Sequence, residues 1–163
     1  MGGETDARFD LIYSHGRLED MTFAPIRMFL RSISRRLKVN VYLYEWPGFG
    51  YSTGTPSMIG VNEAIEAAYD HISSQNGDRR IILMGHSLGG APTVWLGAQP
   101  KTEGKVAGLI LKSTFTSVCG LACPCDCLGS CALPCHEACC SMLPCLDVGR
   151  NIDHIAEVPC PVF

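Results

Sequence analysis

The first 118 residues of this 163-residue chain contain no cysteine, although the whole sequence has ten. This excludes a small domain that is held together throughout by disulfides. No apolar run approaches the roughly 20 residues that a membrane-spanning helix requires. The 13 Lys and Arg residues do not outnumber the 16 Asp and Glu residues. Because the basic excess of a nucleic-acid-binding protein is missing, we expect no nucleic-acid partner.

The first ten residues, MGGETDARFD, lack the apolar stretch of a secretory signal. Asp6 stands where N-myristoylation requires Ser or Thr. Hydrophobic residues make up 47% of the chain, which is enough for a folded core. From these features we expect a cytoplasmic protein with one globular core. Peripheral association with a membrane surface stays open as an alternative.

Short runs of aliphatic, β-branched and aromatic residues alternate with helical patterns along the first part of the chain. The runs that predict strands are residues 9–14, 39–44, 81–84 and 106–111. Helical periodicity lies between them, at 26–37, at 65–72 and from Leu88 to the residue before Pro100. This alternation is typical of an α/β fold with a mostly parallel sheet flanked by helices.

One motif carries chemistry: residues 85–89, GHSLG, match G-x-S-x-G directly between a predicted strand and a predicted helix. In this setting the glycines allow a sharp turn that raises the serine hydroxyl above the sheet. We therefore predict that Ser87 is a catalytic nucleophile. The alternative is a glycine-rich turn with an incidental serine. The predicted chemistry requires no metal and no organic cofactor.

A second short motif, YSHGR at residues 13–17, follows the first predicted strand. Serine hydrolases of this architecture stabilise the oxyanion with two backbone amides, one after the nucleophile and one in a loop after an earlier strand. These would be the amides of Leu88 and of Arg17, or of its neighbour Leu18. The alternative is a tight turn in which the His15 imidazole bonds to the backbone.

The chain from Phe9 to about Thr116 resembles the alpha/beta hydrolase superfamily. Within it, the chain resembles the alpha/beta hydrolase domain-containing protein 17 group, whose members remove palmitate from cytoplasmic proteins. The blocks that carry the resemblance are YSHG at 13–16, YEWPGFGYSTG at 44–54, IILMGHSLGGAPTVWLGA at 81–98, LILKSTFTS at 109–117 and, more weakly, LDVGRNIDHIAEVPCPVF at 146–163. The resemblance implies a serine hydrolase, such as an acyl-protein thioesterase, that acts on an acylated protein or lipid.

Compared with that family, we expect the hydrolase core to be incomplete at both ends. The family's opening strands would precede Phe9. Its catalytic acid would follow the strand that begins at 161–163, and its histidine would follow the next strand, so we expect both to be absent from this chain. Asp147 or Asp153 with His154 would have the required order. They precede that strand, however, and we interpret them as turn and helix residues.

The cysteines divide the chain into a partial hydrolase core at 1–118, a Cys-rich cap or insertion at 119–146 and a return to the core sheet at 147–163. All ten lie in the last 45 residues: Cys119, Cys123, Cys125, Cys127, Cys131, Cys135, Cys139, Cys140, Cys145 and Cys160. Four interpretations stay open, namely a structural metal site, disulfides, acylated cysteines, or an expanded insertion without particular chemistry. No two cysteines form the C-x-x-C pair of common zinc sites.

A rival to the serine hydrolase follows from this segment. It is a catalytically inactive, cysteine-rich protein that binds metal or a membrane on a truncated hydrolase scaffold. Alpha/beta hydrolases insert the cap that shapes the acyl pocket at this position, so an apolar cap rich in Cys, Leu, Met and Pro also suits contact with a membrane or with an acyl chain.

Replacing the nine cysteines from Cys119 to Cys145 by serine tests the membrane interpretation. If acylated cysteines hold the chain at a membrane, the variant moves from the membrane pellet to the soluble fraction of expressing cells. The reason is that each buried methylene of an acyl chain contributes about 0.8 kcal/mol to anchoring. Cys160→Ser is the matched control, and partitioning unchanged by the nine substitutions would contradict the interpretation.

Overall fold

A computed structural model of the chain describes residues 7–115 and 154–163. Four strands in these ranges form one sheet in the order β2-β1-β3-β4, and every neighbouring pair is parallel. The strands are β1 (Phe9–Ser14), β2 (Asn40–Leu43), β3 (Arg80–His86) and β4 (Val106–Lys112). The connecting helices are α1 (Ala24–Leu37), α2 (Met58–Gln75) and α3 (Gly90–Gly97), with 3-10 turns at Ser87–Gly89 and Pro100–Thr102. The predicted α/β fold with a parallel sheet is confirmed.

Helices cover both faces of this sheet, and each face has its own apolar core. On one face, Leu11 and Tyr13 of β1 share a buried cluster with Ile26 and Leu30 of α1. On the other face, Ile12 belongs to a cluster with apolar residues of α2 and α3, namely Ile65, Tyr69, Ile72, Val94 and Leu96. Successive side chains of a strand point to opposite faces, so a strand covered on both sides needs a near-continuous apolar run.

The helix boundaries follow local chemistry. Pro25 lies in the first turn of α1, where its missing N–H has no intrahelical role. The Ser57 hydroxyl accepts a hydrogen bond from Gly60 N–H at 3.0 Å and caps α2. This helix therefore begins well before the apolar pattern at 65–72. It ends at Gln75, two residues before Gly77, whose φ of 59° continues no helix.

The chain returns to the sheet at its last residues. Val162 forms a parallel bridge with Leu109 of β4. Leu109 N–H donates to Pro161 O at 2.9 Å, and Phe163 N–H donates to Leu109 O at 2.9 Å. Residues 161–163 thus pair with β4 through an isolated bridge, as the start of another strand would. The predicted cysteine-rich segment and both of its boundaries lie outside the described residues.

The strand order reverses at the centre of the sheet. The chain moves from β1 outward to β2, then crosses back over β1 to β3 and continues to β4. In open α/β sheets, ligands bind in the crevice at the carboxyl ends of the strands where the order reverses. That crevice here lies between the ends of β1 and β3. None of the helices in the described part of the chain is both long and apolar enough to cross a bilayer.

Ile65→Ala is expected to lower the free energy of unfolding by about 2–5 kcal/mol, because Ile65 is fully buried between α2 and the sheet. Ile59→Ala is the matched control on the same helix. Its side chain is 65% exposed, and we expect a change within about 0.5 kcal/mol. Chemical denaturation of both variants measures the difference, and equal losses would contradict the placement of α2.

Candidate active site

Ser87 lies at the sharp turn between β3 and the helix that follows. Its backbone φ is 51°, in the left-handed region that residues other than glycine seldom adopt. Such a conformation costs about 1–3 kcal/mol and persists only where the surroundings hold it. One restraint is Thr114, beyond the end of β4, whose hydroxyl donates to the Ser87 carbonyl at 2.9 Å. The sharp strand-to-helix turn that the sequence predicts is therefore present at this serine.

Two glycines allow the turn to pack without gaps. A Cβ atom on Gly85 would lie 2.6 Å from the carbonyl oxygen of Gly89. A Cβ atom on Gly89 would lie 2.6 Å from the carbonyl oxygen of His15 and would overlap that of Ser14. The first helical turn therefore touches the backbone at the end of β1 directly. This contact fixes the distance between the two chain segments that carry the predicted site.

Beneath the turn, a series of buried hydrogen bonds joins three elements. Thr93 of α3 donates its hydroxyl hydrogen to Gly89 O at 2.8 Å, and its Oγ1 also lies 3.3 Å from Ser14 Oγ. The Ser14 hydroxyl is 2.7 Å from the hydroxyl of Tyr44, next to β2. Burial raises the pKa of Tyr44, so this phenol stays protonated. The network therefore links α3 and the turn to the end of β1 and to the residue after β2.

After β1, residues 16–19 form a tight turn. Glu19 N–H donates to Gly16 O at 3.1 Å, which leaves Arg17 and Leu18 as the two central residues. His15 also supports the turn, because its Nδ1 lies 2.9 Å from Gly16 O and a carbonyl can only accept. The interpretation of His15 as bonded to backbone is therefore correct, and it does not exclude a role of the turn in the site.

His15 is completely buried against aromatic rings. It stacks on Trp46 with ring centroids 4.0 Å apart and meets the edge of Phe49. Its Nε2 lies 2.8 Å from Glu45 Oε1, although the two groups are not aligned for a hydrogen bond. Two ring contacts and the bond to Gly16 O therefore fix the imidazole, and with it one side of the turn.

A second histidine, His86, lies directly before Ser87 and pairs with Glu19. Its Nδ1 is 3.0 Å from Glu19 Oε1. Although burial acts to raise the pKa of Glu19, the hydrogen bond from Gly16 N–H and the contact with His86 lower it overall. Glu19 is therefore a carboxylate at neutral pH. The His86 ring is therefore held by the Glu19 carboxylate.

The two segments that carry the predicted oxyanion donors both adjoin Ser87. Leu88 lies in the first turn of a helix, where backbone amides have no intrahelical acceptor. Arg17 is central in the turn after β1, and a Cβ atom on the adjoining Gly16 would lie 3.4 Å from Ser87 Cβ. Two backbone segments with donors to offer therefore flank the serine, in an arrangement that suits a developing negative charge.

The histidines outside these two segments are not brought to Ser87 by any contact in the described ranges. His154 lies in a short helical turn, with Nδ1 3.5 Å from Glu157 Oε2, as the interpretation as a helix residue expects. His71 is exposed on α2 beside Gln75. Asp147, Asp153 and His136 lie outside the described residues. Within residues 7–115 and 154–163, no three His, Cys, Asp or Glu side chains are grouped to hold a metal ion.

Sequence reasoning missed three side chains that shape this site: Glu19, Thr93 and Thr114. Glu19 left one local signal, because a glutamate three residues after Gly16 can bond back to the Gly16 amide, as in a capping box. Thr93 and Thr114 left none, since a threonine in a helix or after a strand is common. Their partners become visible only once β1, β3 and β4 lie side by side.

Comparison with known proteins agrees with this geometry. Residues 11–122 match the family described as the alpha/beta hydrolase fold. Human alpha/beta hydrolase domain-containing protein 17B is 28% identical over 160 residues, covering 97% of this chain and 49% of that protein. Alpha/beta hydrolase domain-containing protein WAV2 of Arabidopsis thaliana is 38% identical over 95 residues, covering 57% of this chain and 30% of that protein.

Among solved structures, the Pyrococcus furiosus esterase Pf2001 aligns with a TM-score of 0.67 at 15% identity, over 98% of this chain and 59% of that one. At this identity the likeness shows the fold. The chain spans about half or less of the curated relatives it matches.

Gly89→Ala is expected to destabilise the protein by about 1–3 kcal/mol, because the added methyl group meets the carbonyl groups of Ser14 and His15 rather than a flexible side chain. Gly77→Asn is the matched control. Gly77 also has a positive φ, but it has open space around it, and asparagine tolerates that conformation. Thermal and denaturant unfolding measure both, and a Gly89→Ala variant as stable as the control would contradict the close packing.

Proposed function

Since this chain belongs to the alpha/beta hydrolase family, we propose that it is a serine hydrolase that cleaves ester or thioester bonds with Ser87 as its nucleophile. One observation carries the proposal: Ser87 is held at a positive φ directly beside the turn at 16–19. A strained serine between two backbone segments with donor amides suits acyl transfer. An incidental serine in a glycine-rich turn would not need this strained conformation.

In the proposed reaction, Ser87 Oγ attacks the carbonyl carbon of the acyl group. As the O–C bond forms, the carbonyl electrons move to oxygen, and the amides of Leu88 and Arg17 donate to this oxyanion. Collapse of the intermediate expels an alcohol or a thiol and leaves an acyl group on Ser87. Water then attacks the acyl-enzyme, which releases the carboxylic acid and restores the serine.

The proton of the Ser87 hydroxyl passes to a general base. Within the described ranges, each histidine near the site is already engaged, His15 with Gly16 O and His86 with Glu19. His154 is paired with Glu157. We therefore assign the general base to none of these three histidines. The assigned residues are the nucleophile and the two oxyanion donors.

The proposed substrate is an acylated protein, and a lipid ester is the alternative. This follows from the resemblance to the alpha/beta hydrolase domain-containing protein 17 group, with which the similarity extends over 97% of this chain. We propose that thioesters are cleaved faster than oxygen esters, because a thiolate is a better leaving group than an alkoxide. We place the protein in the cytoplasm, where its substrate would be presented at a membrane surface.

A fluorophosphonate probe tests the proposed nucleophile. We expect one adduct, located on Ser87 by mass spectrometry, and we expect Ser87→Ala to remove it. Where a general base is supplied to Ser87, esterase activity on a p-nitrophenyl ester should fall by about 10³-fold or more in that variant. Ser74→Ala is the matched control, since Ser74 is an exposed serine on α2 that bonds only to His71 O among the described residues.

Labelling that persists in Ser87→Ala would contradict the assignment of the nucleophile. Absence of labelling together with stoichiometric zinc on the purified chain would favour the rival, an inactive cysteine-rich metal-binding protein. Faster hydrolysis of a palmitoyl thioester than of the matched oxygen ester would support the proposed substrate class.

A further inference from the structure

Glu19 belongs to neither sequence motif, yet three elements around Ser87 meet at its carboxylate. Oε2 accepts hydrogen bonds from Gly16 N–H at 2.8 Å and from the Tyr13 hydroxyl at 3.3 Å. Oε1 lies 3.0 Å from His86 Nδ1. These donors come from β1, from the turn that follows it and from the end of β3. The side chain is only 12% exposed, so water competes little for these bonds.

Two hydrogen bonds between Glu19 and Gly16 close the turn at 16–19. Its backbone N–H donates to Gly16 O at 3.1 Å, and its side chain accepts from Gly16 N–H at 2.8 Å. Both polar backbone groups of Gly16 are therefore bonded to the same residue. The amides of Arg17 and Leu18 lie between these two closures and take no part in either. The Gly16 carbonyl belongs to the same peptide group as the Arg17 N–H, so the bond from Glu19 N–H to this oxygen also restrains the orientation of the Arg17 amide.

The same carboxylate ties the turn to the nucleophile. His86 precedes Ser87 in the chain, so the contact between Glu19 and His86 sets the position of the turn relative to the serine. The fit is close, since a Cβ atom on Gly16 would lie 3.3 Å from His86 Nδ1 and 3.4 Å from Ser87 Cβ. A charged acceptor strengthens each of these bonds relative to a neutral one.

We propose that Glu19 is a positioning residue, which holds the amide of Arg17 or Leu18 toward the point beside Ser87 where the oxyanion forms. The inference rests on the proposed function. Glu19 itself touches no reacting atom. Its loss should therefore slow acyl transfer and leave substrate binding nearly unchanged, because the oxyanion exists only on the way to the acyl-enzyme.

Glu19→Ala, Glu19→Gln and Asp20→Asn form a matched set for hydrolysis of a p-nitrophenyl ester. We expect Glu19→Ala to lower kcat by about 10- to 100-fold, with KM within about threefold, because a misplaced oxyanion donor loses most of its effect. Glu19→Gln should recover most of kcat. Its amide oxygen still accepts from Gly16 N–H, and His86 can change tautomer to accept from the amide nitrogen.

Asp20→Asn is the control, because this neighbouring carboxylate bonds to Thr22 outside the turn. It should leave both constants unchanged. His86→Ala separates the turn from the nucleophile while keeping both closures, and it replaces Glu19→Ala if that variant does not fold. A wild-type kcat in Glu19→Ala or in His86→Ala, or a change confined to KM, would overturn the inference.

Hydrogen exchange gives a second readout that does not need activity. The Gly16 amide should exchange about tenfold faster in Glu19→Ala than in the unaltered chain and return toward the original rate in Glu19→Gln. If the unaltered chain shows no labelling at Ser87, the proposed function fails while this measurement still decides whether Glu19 orders the turn. An unchanged exchange rate at Gly16 would overturn the inference whatever the activity.

Discussion

The contact between Gly89 and the carboxyl end of β1 determines the geometry of the whole site. No side chain fits between the first helical turn after β3 and the carbonyl groups of Ser14 and His15, so backbone meets backbone. The parallel pairing of β1 with β3 sets the two segments at the same height, with Ser14 opposite Gly85. Ser87 and the turn at 16–19 are neighbours because of this constraint, and the buried hydroxyls beneath them preserve it.

Carboxylates reinforce the arrangement from the loops. Glu19, after β1, reaches His86 at the end of β3. Glu45, after β2, approaches His15 and also accepts from Met21 N–H at 3.0 Å. Each glutamate thus joins a loop to a histidine of a neighbouring segment. Together they hold the chain after β1 at Gly16 and at Met21, so a segment without regular secondary structure has a defined position.

The sequence predicts the elements of this fold well, because strands and helices leave local patterns. The run at 9–14 matches β1 in full, and G-x-S-x-G predicts the sharp turn in which Ser87 has a φ of 51°. The apolar pattern at 65–72 does not predict where α2 begins, because the first turn of this helix depends on the Ser57 cap. Glu19 could not be assigned either. Its partner His86 lies 67 residues away, and only the register of β1 against β3 brings the two together.

The Thr114 hydroxyl bonds to the Ser87 carbonyl just before the chain enters residues 116–153, and the chain rejoins the sheet beside β4 at 161–163. Both attachment points are fixed by the core, whatever lies between them. The entropy of closing a loop rises only slowly with its length, by about 0.6 kcal/mol for each doubling. The stretch between these points can therefore lengthen, shorten or change composition during evolution at little expense to the sheet, while Thr114 stays bonded to Ser87.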